Sequence, residues 1–146
     1  MAIKISSVLK RICIEDDDGN KLFFAMINAG DPAITGRCKQ FVGFLEKKKK
    51  ELSEKITVED MLQLSNDLEK EFCSILNVTT SPFIAPMTPV TILPDGQLFA
   101  QFVMDEIYKV VGEVATARGQ KMKNRMNEYL EKYQWTIHTV FQCLYV

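Results

Sequence analysis

Apolar and β-forming residues cluster in two short runs near the start of the chain, at residues 8–14 and 22–27. The residues between them are polar and acidic, and they include Asp18-Gly19-Asn20. Asp and Gly supply the positive φ angles that a tight turn between two strands requires. The pattern therefore predicts a β-hairpin over residues 8–27 with an acidic turn at its tip.

Two helices are predicted where apolar residues recur every three or four positions. The first covers about residues 31–54 and begins at Asp31-Pro32, because Asp suits the N-cap and Pro suits the first helical position. The second covers residues 58–76 and follows Thr57, which opens a pattern similar to a capping box. Only a few residues join these helices, so we expect an antiparallel helical hairpin.

A third and longer helix is predicted from about residue 97 to residue 133. Its first half has a broad apolar face, as expected for a helix that packs on a core. Its second half is rich in charged residues and keeps only a narrow apolar stripe. We therefore expect this half to project from the domain, with its stripe available to a neighbour.

The segment between the second and third helices, residues 78–96, contains four of the five prolines of the chain. Prolines at this density exclude a helix interior and disfavour a central strand. The segment is also largely apolar. A long apolar segment without regular structure either packs over the core or contacts a partner, and the sequence leaves both interpretations open.

The apolar tail, residues 134–146, contains no Asp, Glu, Lys, Arg, Pro or Gly. Its high β-propensity would favour aggregation if the segment were left uncovered. It is expected either to pair as a C-terminal strand, beside the N-terminal hairpin, or to dock on another subunit.

Composition places these elements in a single domain, residues 1–146, of the α+β class and mainly α. The formal net charge is −1, which removes the electrostatic argument for nucleic-acid binding. The sequence shows neither a signal peptide nor an apolar run long enough to cross a membrane, so a cytoplasmic protein without membrane contact is expected. The four cysteines have no C-x-x-C spacing and are predicted to be reduced, buried thiols.

Chemistry-bearing motifs are absent from the sequence. It contains one histidine, and it lacks the glycine-rich phosphate loops, the H-E-x-x-H zinc motif and the G-x-S-x-G nucleophile motif. The acidic turn, residues 15–18, lacks the spacing of an EF-hand. His138 lies five residues before Cys143, but no orienting residue or oxyanion-hole pattern accompanies this pair. We predict a protein with no catalytic residues, no metal and no cofactor.

The order of the elements resembles that of the small tail-assembly chaperones of long-tailed bacteriophages and prophages of Gram-positive hosts. The resemblance covers roughly Arg11 to Tyr133. It rests on the hairpin with its Asp-Gly-Asn turn, the Asp-Pro helix cap, a Lys- and Glu-rich helix, a second helix ending near residues 72–77, and a long helix with a charged and aromatic end near residues 126–133. The proline-rich segment 78–96 and the apolar tail depart from the pattern of these proteins.

This resemblance implies a mostly helical, non-enzymatic protein in the cytoplasm of a bacterial host cell. Such proteins bind the phage tape-measure protein and shield its apolar helices until the tail-tube proteins polymerise around it, and they often form homo-oligomers. Two alternatives stay open: a structural virion component such as a connector or minor tail protein, and a phage-encoded inhibitor of a host defence protein.

A chaperone needs adaptable apolar surface, and flexible Met side chains supply such a surface. The predicted partner-binding residues are therefore chosen by their apolar character and position. They are Phe83, Ile84, Met87, Ile92, Phe99, Met122, Met126 and Trp135.

Overall fold

The computed structural model describes the backbone of residues 1–145 and the side chains of residues 1–133. An antiparallel hairpin is followed by three helices, which confirms the predicted α+β class. The elements are β1 (Lys10–Glu15), β2 (Lys21–Ile27), α1 (Pro32–Glu51), α2 (Val58–Leu76) and α3 (Phe99–Tyr145).

The hairpin has one buried face and one exposed face. Phe23, Ala25 and Ile27 alternate with exposed residues along β2, as expected for a strand that covers a core on one side only. In the turn, Gly19 has a φ angle of +80°. Asp16 stabilises the turn by accepting hydrogen bonds from the backbone of Asp18 and Asn20.

The cysteines do not share one environment, and the prediction of four buried thiols was wrong for Cys13. Cys38 is buried and Cys73 is half-buried, whereas Cys13 is exposed. The reason is the strand alternation, because Cys13 lies between Ile12 and Ile14 on the face of β1 that points away from the core. The side chain of Cys143 lies outside the described residues.

The helix caps follow the sequence signals. Asp31 caps α1 by accepting a hydrogen bond from Ala33 N at 3.0 Å, and Thr57 with Asp60 forms a capping box at the start of α2. α2 ends at Asn77, whose φ angle of 55° is left-handed. The two N-terminal caps thus satisfy backbone donors that would otherwise lack partners.

Polar contacts join the helices in the order expected for an antiparallel hairpin. Arg37, near the start of α1, donates to Ile75 O near the end of α2 at 2.7 Å. Lys48, near the end of α1, donates to Asp67 within α2, also at 2.7 Å. The hydroxyl of Tyr108 on α3 donates to a backbone carbonyl of α1, so α1 is held by both other helices.

The proline-rich connector, residues 78–96, packs against the core along much of its length. Phe24 N donates to Pro82 O and Ile84 N donates to Leu22 O, each at 3.0 Å, so the connector pairs with the outer edge of β2. Phe83 is only 7% exposed. This part of the segment therefore packs over the core, which was one of the two interpretations that the sequence left open.

Phe83 also forms the centre of an aromatic cluster. Its ring centroid lies 5.2 Å from that of Phe23 on β2, 5.0 Å from that of Phe72 on α2 and 5.8 Å from that of Phe99 on α3. All three pairs are edge-to-face, the arrangement that aromatic rings favour. One connector side chain thus contacts three different elements.

The carbonyls of the connector also cap α3. Phe99 N donates to Thr91 O at 2.8 Å, and Ala100 N donates to Pro89 O at 3.0 Å. The helix consequently starts two residues later than the sequence predicted. Its position on the core is set by the segment that precedes it.

α3 continues to Tyr145, so the C-terminal strand, one of the two expectations for the apolar tail, is not seen in the described residues up to position 145. The tail has no Pro or Gly, the residues that most strongly stop a helix. Extending an existing helix by one residue adds a hydrogen bond without a new nucleation cost. This gain outweighs the β-propensity of the tail, which depends on packing against neighbouring strands.

Phe83→Ala is expected to lower the free energy of unfolding by about 3–5 kcal/mol, because it empties the centre of the aromatic cluster. Ile92→Ala is the matched control, since Ile92 lies in the same connector and is 66% exposed. It is expected to change stability by less than about 0.5 kcal/mol. Urea unfolding measures both, and equal losses would contradict this role of Phe83.

The stability of the chain should depend on pH through Asp67. The hydrogen bond from Lys48 holds the pKa of Asp67 below its ordinary value of 3.8. A lowered pKa in the folded state gives stability that is present above about pH 4 and lost as the pH falls further.

Asp67→Asn should remove this part of the acid sensitivity. Because the pair is partly exposed, the effect is expected to be below about 1 kcal/mol. Denaturant midpoints between pH 2 and pH 6 measure it, with Glu46→Gln as an exposed control on α1. If the stability of Asp67→Asn depended on pH as that of the wild type does, Asp67 would not be a source of the acid sensitivity.

Candidate functional site: an apolar stripe on the projecting half of α3

The first half of α3 is part of the core. Its buried residues recur every three or four positions, which places them on one face of the helix. They are Phe99, Ala100, Val103, Met104, Ile107, Val111 and Val114.

The second half of α3 leaves the core after Val114. Every residue from 115 to 133 is exposed. At 1.5 Å per residue these 19 positions span roughly 28 Å of helix. The structure thus bears out the expectation, from the change in residue character along the sequence, that this half projects.

Five large apolar side chains lie along this projecting half and are at least half exposed. They are Met122, Met126, Tyr129, Leu130 and Tyr133, and we call them the α3 stripe. Their spacings of three and four place them on one face of the helix. A row of this size on an exposed helix is a feature that soluble proteins usually reserve for contact with another molecule.

The tyrosines stiffen one end of the α3 stripe. The ring centroids of Tyr129 and Tyr133 lie 4.5 Å apart. A hydrogen bond with Tyr133 raises the pKa of Tyr129 above its ordinary value of 10.0, so the Tyr129 hydroxyl stays neutral at physiological pH. The methionines at the other end are flexible, so the stripe combines fixed aromatic rings with adaptable thioethers.

Basic residues border the α3 stripe. Residues 118–125 contain four Arg or Lys and no acidic residue. Arg118 and Arg125 are four residues before and three residues after Met122, and Lys123 is three residues before Met126, so these cations flank the two methionines. Arg125 also lies 3.2 Å from Glu128, an exposed pair that contributes little to stability.

A cleft of about 560 Å³ lies where α3 passes the start of α1. Three glycines line this cleft: Gly30 before α1, Gly36 within α1 and Gly119 on α3. Arg118 crosses it closely, because a Cβ atom on Gly30 would lie 3.2 Å from its Nη1 atom. Met122 lines the cleft and also belongs to the α3 stripe, so the two form one continuous surface.

The predicted partner-binding residues do not form one surface. Met122 and Met126 lie together on the α3 stripe. Ile92 is exposed, but it precedes the start of α3, about 35 Å of helix away from Met122. Ile84 and Met87 are half-buried in the connector.

Phe83 and Phe99 are core residues, with 7% and 1% of their surface exposed. In this fold they have almost no surface to offer a partner, unlike the exposed residues of the predicted set. Burial of the connector against β2 is the reason, because it turns Phe83 inward. The side chains of Trp135 and His138 lie outside the described residues.

The predicted binding residues left out Tyr129, Leu130 and Tyr133, and the cleft was not predicted. Tyr129 and Leu130 were recognised as part of the narrow apolar stripe, and Tyr133 shares its three-and-four spacing, so the same periodicity could have added all three. The cleft had no local signal, because Gly30 and Gly119 are 89 positions apart in the sequence and meet only through the packing of α3 on α1.

Within the described residues, no group of three or more His, Cys, Asp or Glu side chains is arranged to hold a metal ion. None of the helices, over those same residues, combines the length and the apolar character needed to span a bilayer. In comparisons with known proteins, no family model, curated protein or solved structure matches the chain.

Exposure of the stripe can be checked by oxidation. Met122 and Met126 are 58% and 55% exposed, whereas Met104 is 1% exposed. Dilute hydrogen peroxide should convert the first two to sulfoxides at least tenfold faster than Met104, because only exposed thioethers meet the oxidant. Peptide mass spectrometry over time measures the rates. Oxidation of Met122 and Met126 as slow as that of Met104 would show that the stripe is covered.

Proposed function

We propose that this protein is a non-enzymatic tail-assembly chaperone of a long-tailed bacteriophage, which acts in the cytoplasm of the bacterial host and binds the tape-measure protein. The observation that carries the proposal is the α3 stripe, an apolar row on a helix that projects from the core. A protein that shields apolar helices needs such a row in an accessible position. The order of elements that resembles these chaperones supports the same role.

The geometry of the stripe suits a helical partner. A single row of apolar side chains on a helix is complementary to the apolar face of another helix, and such pairs pack at spacings of three and four residues. Met122 and Met126 can adapt to several different side chains, which a chaperone for a long and varied client needs. Tyr129 and Tyr133 provide larger contact areas at fixed positions.

The basic residues beside the α3 stripe indicate which charges a partner helix should carry. Arg118, Lys123 and Arg125 flank the methionines, so a client helix with Asp or Glu beside its apolar face gains favourable charge contacts, and one with Lys or Arg is repelled. Parallel pairing of two copies of α3 would bring these like charges together. The methionine end of the stripe is thus suited to a helix with acidic borders.

Absence from the finished particle distinguishes this proposal from a structural role. A chaperone is expected in complexes with the tape-measure protein during assembly and is expected to be missing from mature virions. A connector or minor tail protein would be retained in them. An inhibitor would instead bind a single host protein and no virion component.

Met126→Asp combined with Tyr129→Asp is expected to reduce recovery of the tape-measure protein at least tenfold. The change places charges in the centre of the apolar contact while leaving the core untouched. The measurement is a pull-down of the tagged chain from cells expressing its native gene neighbourhood, with quantification by mass spectrometry.

Leu62→Asp is the matched control for that experiment, because Leu62 is also 60% exposed but lies on α2. It should leave recovery unchanged. Equal recovery with the wild-type and the stripe variants would remove the stripe from the proposal. Recovery of one host protein without any virion component would replace the chaperone with an inhibitor.

A further inference from the structure

The two edges of the hairpin are not equivalent. The outer edge of β2 is covered, because the connector bonds to it through Pro82 O and Ile84 N. The sheet contains only β1 and β2, and no segment of the described chain pairs with the outer edge of β1. An open edge presents N–H and C=O groups in the geometry that another strand requires.

The register identifies which groups are open. Successive residues of an antiparallel strand direct their N–H and C=O groups to opposite edges. Phe24 directs its N–H to the connector, so its neighbour Ala25 directs its own groups to β1. Ala25 is opposite Ile12, so the N–H and C=O groups of Ile12 point toward β2. The N–H and C=O groups of its neighbours, Arg11 and Cys13, therefore point toward the open edge.

Charge is strongly polarised along this edge. β1 begins with Lys10-Arg11, continues with the uncharged residues 12–14 and leads into the four consecutive acids Glu15 to Asp18. Both ends are exposed. Natural edge strands commonly avoid pairing by placing charges along the edge. Here the charges lie only at the ends, with opposite signs, so the strand is complementary to an antiparallel copy of itself.

We propose that two copies of this chain pair through β1, antiparallel about a two-fold axis at Cys13, so that the two hairpins form one four-stranded sheet. Arg11 then faces the partner's Glu15, and this contact occurs twice. Cys13 faces the partner's Cys13 in the position where both residues exchange backbone hydrogen bonds. The inference goes beyond the proposed function and does not depend on it.

This register is favoured by two features: the side of the sheet on which each core lies, and the charges at the two ends of β1. Side chains that are directly opposite in a sheet lie on the same face, so Cys13 against Cys13 keeps the two cores on one side. A two-fold axis at Ile12 would also keep both cores on the same side of the sheet. It would, however, place Arg11 opposite the partner's Cys13, so both contacts between Arg11 and Glu15 would be lost. Parallel pairing would set the basic ends together and the acidic ends together.

The same arrangement would also join apolar side chains on the exposed faces of the two hairpins. Phe24 lies opposite Cys13, and Phe24 and Met26 are 42% and 41% exposed. Pairing at β1 aligns Phe24, Cys13 and their two counterparts in one apolar row across the sheet. The α3 stripes are not used, so both remain accessible in the dimer.

The first test measures the dimer by sedimentation equilibrium under reducing conditions. Wild type should form a dimer, and Arg11→Glu and Glu15→Arg should each weaken dimerisation at least tenfold. An equimolar mixture of the two variants should restore it, because Glu at position 11 then faces Arg at position 15 and each native residue meets its native partner. Arg125→Glu makes the same charge change on α3 and should leave the dimer unchanged.

The second test uses Cys13 as a reporter. Paired residues of this kind have Cα atoms about 5.5 Å apart, within the range of about 4.4–6.8 Å that a disulfide allows. In a Cys143→Ser background, oxidation by copper phenanthroline should give a covalent dimer, and Cys13→Ser should abolish it. Burial raises the pKa of both Cys38 and Cys73 above the ordinary 9.0, which makes these thiols poor competitors.

Several outcomes would overturn the proposal. A wild-type chain that stays monomeric up to millimolar concentration excludes the dimer. A dimer that is insensitive to Arg11→Glu and lost in Met126→Asp places the second copy on the α3 stripe instead. Glu15 is opposite Lys21 in the hairpin, so thermal melting must confirm that Glu15→Arg folds. If it does not fold, Arg11→Glu and the Cys13 crosslink decide the question.

Discussion

The contact on which the rest of the structure depends is the insertion of Phe83 between the sheet, α2 and α3. A two-stranded hairpin is at best marginally stable alone, so it must be covered on its inner face and supported at an edge. The connector does both, because its backbone pairs with β2 while Phe83 packs edge-to-face against rings from all three elements. The proline-rich segment is thus a structural part of the core, and its carbonyls then set the start of α3.

Fixing the start of α3 determines which surface the protein exposes. The buried face of the helix extends only to Val114, and every residue from 115 to 133 is exposed. A helix that continues past the core keeps its own backbone hydrogen bonds and needs no further support from the domain. Residues 115–133 therefore present the α3 stripe without disturbing the rest of the fold, so substitutions there can test binding separately from folding.

Local signals predicted the local parts of the structure. Asp31, Thr57 and Asn77 marked helix ends correctly, because capping depends on one side chain and the nearest backbone groups. The site was predicted only where it is local as well, since Met122 and Met126 could be placed on one face by periodicity alone. The burial of Phe99 had a local signal that was not used, since it shares the four-residue spacing of Val103 and Ile107. The burial of Phe83 had none, because it depends on pairing between the connector and β2, about 60 residues apart in the sequence. The α1–α3 cleft escaped prediction for the same reason.

Two surfaces of opposite character follow from this arrangement. Arg118, Lys123 and Arg125 flank the methionines of the α3 stripe, so this end of the stripe favours a partner with acidic borders. The edge of β1 carries both signs at its two ends, so it is complementary to itself in one direction and one register. A single surface could not serve both proposed contacts, because self-association would occupy the groups that the proposed partner needs. Since the two surfaces lie apart, on the hairpin and on the projecting helix, the proposed dimer would leave an open stripe in each copy.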